Sequence, residues 1–335
     1  MLSFERINLS DVDWHELAKS HDYSVCQSKP WMEFVTECQG AEPVVARVLE
    51  RGTQIGWFTG MIIRKFGMPI LGSPFPGWTT LYMGFNLPPD YPRLDAVRAL
   101  PHFAFDGLGC IHLELMDRFI TMDEAVSLGW QMRGLRNREI DLRQDEEAIW
   151  KQMSNSSARY CIRKSEKAGV TVEKATPGDP DFASDYYTQL IDVFAKQGLA
   201  TTYQLDRVQA LIRHLHPAGK LLALRARSAE GECLSTAIFP GDGPMAYFWG
   251  GASLRRFQKL NPNEPLVWHA IKYWRDRGAE RFDFGGGGTY KKKYGGREIE
   301  VPWVRKSKWA VLENGRRAAR WVVDALQRLK GRGRG

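Results

Sequence analysis

The chain has 335 residues, enough for about two domains, and its 43% hydrophobic and 26% charged residues are typical of a globular protein. This composition excludes a disordered chain and a fibrous repeat. The formal net charge is +8, of which residues 305–335 carry +8, residues 1–140 carry −4 and residues 141–304 carry +4. The positive charge therefore marks a basic C-terminal extension and not a uniformly basic protein of the histone type.

The first 14 residues contain three carboxylates and no apolar run, so we expect no signal peptide. No apolar stretch approaches the roughly 20 residues that a membrane-spanning helix needs. The cysteines form no Cys-x-x-Cys pair, which excludes a zinc ribbon and a redox dithiol; they are Cys26, Cys38, Cys110, Cys161 and Cys233. We expect reduced thiols, no metal and a cytoplasmic location, with the inner face of the membrane as the alternative.

Residues 1–144 are predicted to form one mixed α/β unit. Apolar periodicity, β-branched runs and turn residues predict its elements: a helix at 29–39, a hairpin of strands at 43–50 and 54–63, a Gly- and Pro-dense loop at 67–76, a helix at 92–106 and a strand at 110–115.

Residues 145–304 are predicted to form a second unit with a similar order of elements. These are a helix at 145–168, a strand at 170–173, helices at 181–197 and 204–215, a meander of strands at 221–229, 233–239 and 245–252, a helix from Asn261-Pro262 to Arg277, and a strand at 281–284. Asn261 is predicted to cap that last helix. Strand meanders with flanking helices favour an α/β (α+β) fold with a mainly antiparallel sheet over a Rossmann sheet.

The most specific segment follows the last predicted strand. Four glycines, Gly285, Gly286, Gly287 and Gly288, precede Tyr290 and Lys291. Consecutive glycines let the backbone approach a ligand closely. The spacing fits neither G-x-G-x-x-G nor the P-loop, which disfavours a kinase or a nicotinamide enzyme. A tight connection followed by solvated lysines is the alternative interpretation.

Two further groups of cations could bind anions. Arg159 and Arg163 are four residues apart on the predicted 145–168 helix, and guanidinium groups match phosphate oxygens. Arg255 and Arg256 precede the predicted helix start at Asn261, where free backbone amides favour an anion. The plainer alternative for the first group is an amphipathic helix with a wet basic face.

The order and spacing of these segments resemble the FemAB-like aminoacyl and acyl transferases. The resemblance covers most of the chain and rests on Gln27-Ser28-x-x-Trp31, Gly72-Ser73-Pro74, Trp150 to Arg159, Ile162-Arg163-Lys164, Gly169-Val170, Tyr247 with Gly251-Ala252-Ser253, Asn261-Pro262, Gly278, Asp283-Phe284-Gly285 and Tyr290-Lys291-x-x-Tyr294-Gly295.

The resemblance implies two tandem GNAT-like domains, here 1–144 and 145–304, with a C-terminal basic helix at 305–335 packing on the first. It implies transfer of an acyl group to an amine or hydroxyl of a cell-envelope or polysaccharide-related acceptor, with acyl-CoA as the expected co-substrate and no tightly bound cofactor. The alternatives are an aminoacyl-tRNA-dependent enzyme acting on a peptidoglycan precursor, and a non-catalytic adaptor. Glu33 stands where some members carry a phosphate-binding lysine, which weighs against the muropeptide substrate.

The resemblance also assigns roles to residues. Lys291, with Tyr290 beside it, is expected to stabilise the oxyanion. Asp117 and Asp283 are candidate bases by position only, and for Asp283 we favour the alternative of a strand-end carboxylate that caps the glycine turn. The donor would contact Gly285, Gly286, Gly287, Gly288, Arg255, Arg256 and Asn261, and the acceptor would contact Arg159, Arg163, Tyr247 and Trp249. The basic C-terminal helix is expected to dock on the first domain; an anionic membrane or an RNA such as tRNA is its alternative partner.

Overall fold

The computed structural model describes residues 2–196 and 198–311. The helices are α1 (Trp14–Ala18), α2 (Lys29–Gln39), α3 (Arg93–His102), α4 (Met122–Ser127), α5 (Glu146–Gln152), α6 (Tyr160–Lys167), α7 (Phe182–Ala195), α8 (Leu205–Leu215) and α9 (Asn263–Asp276). The strands are β1 (Leu2–Ile7), β2 (Glu42–Glu50), β3 (Thr53–Lys65), β4 (Met68–Ser73), β5 (Gly84–Asn86), β6 (His112–Met116), β7 (Gln131–Asp141), β8 (Thr171–Lys174), β9 (Leu221–Arg227), β10 (Cys233–Asp242), β11 (Met245–Tyr247), β12 (Gly250–Ser253), β13 (Arg281–Gly286) and β14 (Arg297–Ser307).

The strands form one continuous sheet in the order β1-β2-β3-β4-β6-β14-β7-β13-β11-β10-β9-β8, with β5 beside β3 and β12 beside β10. Two pairs, β4 with β6 and β11 with β13, run parallel. The other neighbours along this path are antiparallel. The predicted α/β class with a mainly antiparallel sheet is confirmed.

The order of pairing repeats along the sheet. In each half, antiparallel strands lead to a parallel pair, which is followed by one antiparallel strand: β14 after β6, and β7 after β13. Each of these last strands comes from the other half of the sequence. β14 completes the first half of the sheet but ends the second half of the chain, and β7 completes the second half of the sheet but precedes that half in the chain. They also pair with each other along their length, with Arg297 opposite Glu139 and Arg305 opposite Gln131. The halves are therefore joined through the middle of the sheet, and the domain limits 1–144 and 145–304 stay a prediction.

Three large buried clusters cover the two faces of the sheet. One cluster combines residues of both halves, including Trp31 and Phe34 of α2 with Leu211 of α8, and these two helices contact each other. A second packs α3 on the first half, and a third packs α5, α6 and α9 on the second. Because the first cluster spans the junction, the two halves are held together on one face as well as through β7 and β14.

Several elements agree with the predicted limits. Helix α2 has the predicted ends, and β2 and β3 form the predicted hairpin. The predicted helix at 92–106 is α3 followed by a π-helical turn, Phe103–Gly107.

The prediction of a loop at 67–76 is wrong, because Met68–Ser73 of this range form strand β4. Leu71 is fully buried in β4, which lies between β3 and β6. The glycine that suggested a loop, Gly72, is needed because a Cβ there would lie 2.4 Å from the Phe75 ring. Glycine in this strand therefore reflects a close side-chain approach.

The single helix predicted at 145–168 is also wrong. Met153 adopts an extended conformation with ψ 145° and ends α5. The backbone N–H of Ser154 then donates to the carbonyl of Lys293 at 2.9 Å, and a π-helical turn, Asn155–Arg159, leads into α6. A partner distant in sequence replaces the helical hydrogen bond at this point.

Two smaller corrections concern the second half. The third meander strand is divided into β11 and β12. Asn261 does not cap α9: its φ is +51° and its Nδ2 donates to the Lys259 carbonyl at 3.3 Å, while Pro262 occupies the cap position.

Strand β14 continues to Ser307, inside the range predicted for the basic helix. Residues 312–335 of that predicted helix lie outside the described residues. Among the helices described, none has the length and apolar character needed to cross a bilayer.

Candidate functional site

A wedge opens in the sheet where β11 and β13 separate. The two strands pair in parallel from Met245 and Arg281 to Tyr247 and Asp283, and the N–H of Phe248 still donates to the Asp283 carbonyl at 2.9 Å. Beyond this point β12 stays with β10, whereas β13 stays with β7, its partner from Arg281 to Gly286. The four-glycine segment therefore lines one side of an opening between two strands, where backbone groups can meet a ligand.

The Lys291 side chain is hydrogen-bonded to β13, the strand on one side of this wedge. It lies in the 3-10 helix Thr289–Tyr294 and is 8% exposed. Its Nζ donates to the carbonyls of Phe284 at 2.6 Å and Gly286 at 2.7 Å. An ammonium group has three donors, so these two bonds leave one N–H for another acceptor. Burial lowers the pKa of Lys291, and the nearby Asp283 carboxylate acts in the opposite direction.

Asp283 is completely buried at the start of the wedge. The Tyr82 hydroxyl donates to its Oδ2 at 2.7 Å, and the Gly285 N–H donates to its Oδ1 at 2.5 Å. Asn137 in turn donates to the Tyr82 hydroxyl at 2.6 Å. Burial raises the pKa of Asp283 to about 6, although these hydrogen bonds oppose the rise. Asp283 thus ties the first half of the chain to the first glycine of the segment.

A cluster of aromatic side chains around Trp249 follows β11, the other strand of the wedge. The Trp249 ring lies 5.1 Å from that of Tyr203 and 6.0 Å from that of Tyr186. Trp249 is 7% exposed, and its Nε1 has no hydrogen-bond partner among the described residues. A buried indole N–H usually has an acceptor, so this donor is suited to a ligand.

Tyr247, the other aromatic residue predicted to bind the acceptor, is buried and internally bonded. Its hydroxyl donates to the Thr79 carbonyl at 3.1 Å, and it is 3% exposed. Tyr290 is 52% exposed and its ring centroid lies 5.9 Å from Lys291 Nζ. Tyr290, and not Tyr247, is therefore placed to meet a substrate beside Lys291.

The two predicted phosphate-binding arginines of the second half are in different surroundings. Arg159 ends the π-helical turn that Ser154 fastens to Lys293, and its buried Nε has no partner among the described residues. Arg163 is exposed and lies over the Trp150 ring at 5.6 Å. Arg159 is therefore linked to the segment that carries Lys291, while Arg163 points to a surface aromatic.

The predicted donor-phosphate residues lie on a separate 3-10 helix, Arg255–Leu260. The Arg255 N–H donates to Asp192 at 3.2 Å. Arg256 lies 4.5 Å from the Phe257 ring centroid and 3.8 Å from the Glu232 carboxylate. Pro262 precedes α9 and no side chain caps this helix, so the capped N-terminus that the sequence predicts at Asn261 is not formed.

Asp117 is engaged in a buried ion pair in the first half. Its Oδ2 accepts from Arg93 at 2.7 Å, and its Oδ1 accepts from the Phe119 N–H at 2.8 Å. Arg93 also donates to Asp22 at 2.7 Å. These hydrogen bonds give the buried Asp117 carboxylate a structural role, so its burial needs no catalytic explanation.

Tyr82 and Asn137 are site residues that the sequence does not predict. Tyr82 lies in an irregular stretch 201 residues from its partner Asp283, and no local pattern marks such a pair. The described residues contain no group of three or more His, Cys, Asp or Glu side chains that could hold a metal ion.

The family model described as "Acetyltransferase (GNAT) domain" matches residues 154–293, the part that contains the wedge and Lys291. The lipid II:glycine glycyltransferase of Staphylococcus aureus is 38% identical over 66 residues, which are 20% of this chain. The chain spans about one sixth of that relative, 16% of its length.

Among solved structures, FemX superimposes with a TM-score of 0.71 at 14% identity, covering 90% of this chain and 97% of FemX. A tandem GNAT protein from the clavulanic acid biosynthesis pathway gives a TM-score of 0.53 at 12% identity, covering 92% of this chain and 98% of that protein. These matches confirm the predicted tandem GNAT-like fold. Residues 154–293 thus match a GNAT acetyltransferase domain, and a 66-residue segment is similar to the lipid II:glycine glycyltransferase.

Proposed function

We propose that the protein transfers an aminoacyl group from aminoacyl-tRNA to an amine of a peptidoglycan precursor. The observation that carries this proposal is the buried Lys291 ammonium at the wedge, within the part that matches the GNAT domain. The similarity to FemX over nearly the whole chain and to a segment of the lipid II:glycine glycyltransferase supports this choice of donor and acceptor over acyl-CoA and a general polysaccharide acceptor.

The proposed reaction needs no covalent enzyme intermediate. The acceptor nitrogen attacks the carbonyl carbon of the aminoacyl ester and forms the new C–N bond. The C–O bond to the ribose then breaks, the nitrogen loses a proton, and the ribose oxygen gains one. Negative charge develops on the carbonyl oxygen, so a positioned donor there lowers the barrier.

Lys291 supplies that donor in our proposal. The carbonyls of Phe284 and Gly286 hold two of its N–H groups, which fixes the direction of the third. The burial of the ammonium strengthens its interaction with a developing oxyanion, because the local dielectric is low.

Asp283 acts as a positioning residue in this proposal. It accepts hydrogen bonds from Tyr82 and Gly285 and has no exposed surface. A carboxylate in that position fixes the first turn of the glycine segment, whose next residue, Gly286, binds Lys291. Asp283 thus acts on the reaction through the segment and not through contact with substrate.

The unpartnered Nε1 of Trp249 and Nε of Arg159 would bind polar groups of the substrates. Arg159 is suited to a phosphate because its guanidinium group stays charged. Tyr290 would cover the reacting groups from the exposed side.

Acyl-CoA is the second candidate donor, since the family model that matches residues 154–293 is that of an acetyltransferase domain. The test is a transfer assay with two labelled donors, a mixture of ¹⁴C-aminoacyl-tRNAs and ¹⁴C-acetyl-CoA, each with lipid II and with a soluble muropeptide precursor.

We expect label to enter a precursor from the tRNA mixture and ribonuclease to abolish it. Transfer from acetyl-CoA that survives ribonuclease would contradict the proposed donor. If neither donor gives product, the non-catalytic adaptor is the better account.

A further inference from the structure

Exposed apolar and basic side chains gather at one edge of the sheet. Lys65 at the end of β3 is opposite Met68 at the start of β4. In the next strands, Ile70 is opposite His112, and His112 is opposite Ser307 at the end of β14. The β3–β4 turn and the segment that follows β14 therefore leave the sheet at the same edge. We call residues 64–68 and 305–311 the basic edge.

Phe66 is the most exposed large apolar residue at the basic edge, at 98%. It occupies the first position of a two-residue turn with φ +52°, followed by Gly67 at +76°. Such turns favour Asn, Asp or Gly, and a bulky side chain is disfavoured at positive φ. Neither packing nor turn conformation accounts for a phenylalanine here, which points to a role outside the fold.

Three more apolar side chains of the basic edge are exposed: Met68 at 41%, Trp309 at 54% and Val311 at 80%. An exposed aromatic with neighbouring aliphatic groups is costly in water and is suited to an apolar partner. Two separate segments of the chain contribute these residues, so their exposure does not arise from the conformation of a single loop.

The two segments of the basic edge carry only positive charge of their own. Residues 64–68 and 305–311 contain five cations, Arg64, Lys65, Arg305, Lys306 and Lys308, and no carboxylate. Neighbouring acids offset this charge in part, because Glu42 lies 3.9 Å from Arg64 and Asp106 lies 3.0 Å from Lys308. The sequence beyond Val311 adds seven cations and two carboxylates in residues 312–335.

A cleft of about 650 Å³ opens beside the basic edge. Its lining includes Arg64, Lys65 and Arg305 together with Trp303 and one carboxylate, Glu114, which stands opposite Arg305 in the neighbouring strand. The cations of the edge thus continue into a concave surface on the sheet, and a partner held at the edge would lie next to that cleft.

We propose that the basic edge binds an anionic lipid surface. Phe66, Met68, Trp309 and Val311 enter the interfacial region, and the cations contact lipid phosphates. Aromatic and aliphatic groups at the tip of a turn with flanking Lys and Arg match the composition of such an interface, whose strength depends on buried apolar area and on attraction to anionic lipids. This inference does not depend on the proposed acyl transfer.

The test is co-sedimentation of the full chain with vesicles of phosphatidylglycerol and of phosphatidylcholine. We expect binding to the anionic vesicles that weakens about tenfold in Phe66→Asn, because the apolar contact is lost. Lys65→Ser is expected to weaken binding about fivefold. Asparagine suits the turn, so Phe66→Asn should keep the melting temperature of the wild type.

The matched control is the β2–β3 turn at the opposite end of β3, where Arg51 and Gly52 have φ +51° and +87°. Arg51→Ser removes a cation from a turn of the same kind and should leave vesicle binding unchanged. The proposal fails if the wild type does not bind phosphatidylglycerol vesicles. It also fails if Phe66→Asn binds phosphatidylglycerol vesicles within about twofold of the wild type, since the apolar contact of the basic edge would then contribute nothing.

Discussion

Asp283 shows how one buried carboxylate can hold distant parts of the molecule together. Its two oxygens accept from Tyr82 of the first half and from Gly285 of the wedge. Arg118 lies over the Tyr82 ring at 5.7 Å and contacts Glu139, so the carboxylate lies within a larger buried polar network. Without these partners, an acid with no exposed surface would strongly destabilise the fold.

This environment predicts a pH dependence of stability. The pKa of Asp283 is about 6 in the folded protein, against an ordinary value of 3.8. Between these values the folded state holds a proton that the unfolded state releases, so the contribution of Asp283 to the free energy of unfolding falls as pH rises from about 4 to 6. A difference of about two in pKa corresponds to about 3 kcal/mol.

The measurement is urea unfolding of the wild type and of Asp283→Asn at pH 4 to 7. Asparagine does not titrate, so the stability of the wild type relative to the variant should decrease across this range by up to about 3 kcal/mol. Stability curves that run parallel from pH 4 to pH 7 would show that Asp283 titrates normally.

At the scale of elements, β14 is the piece that completes the first half of the sheet. It pairs with β6 on one side and β7 on the other. Val304 of β14 is fully buried in the core cluster of the first half, although it lies near the end of the described chain. The first half therefore depends on a strand that follows the whole second half in the sequence.

This arrangement predicts a large effect of Val304→Ala. The cavity should lower the free energy of unfolding by about 2 kcal/mol, and spectroscopic probes in both halves should shift to the same new midpoint. Val311→Ala is the matched control, since Val311 is 80% exposed and should change stability little. Two separate transitions, with only one of them shifted by Val304→Ala, would contradict the coupling of the halves through β14.

At the scale of the whole molecule, sequence reasoning succeeds where signals are local. Helix α2 is predicted with its ends because Pro30 opens it and Gly40, at φ +61°, closes it. The β2–β3 hairpin follows from two apolar runs around Arg51-Gly52. The tandem GNAT-like fold follows from the order of such segments together with a family resemblance.

Prediction fails where distant residues decide the structure. The local pattern predicts a loop in place of strand β4 because it contains glycine. In the structure that glycine, Gly72, lies against the Phe75 ring, a contact that the local pattern does not show. The break between α5 and α6 depends on the bond from Ser154 to Lys293. The pairing of Tyr82 with Asp283 likewise depends on the completed sheet. Sequence motifs single out Lys291, while its two carbonyl partners and its burial follow only from the fold.

The central claim is that the Lys291 ammonium takes part in acyl transfer. Its neighbour Lys292 is exposed on the same 3-10 helix and offers a matched control. The decisive measurement is the kcat of transfer by Lys291→Met and Lys292→Met, with the melting temperature of each variant recorded beside it.

We predict that Lys291→Met lowers kcat by about 10²- to 10³-fold, as expected for loss of one oxyanion donor, in protein that still shows a cooperative melting transition. Lys292→Met should stay within about twofold of the wild type, because an exposed cation contributes little. A folded Lys291→Met variant that retains the kcat of the wild type would contradict the account.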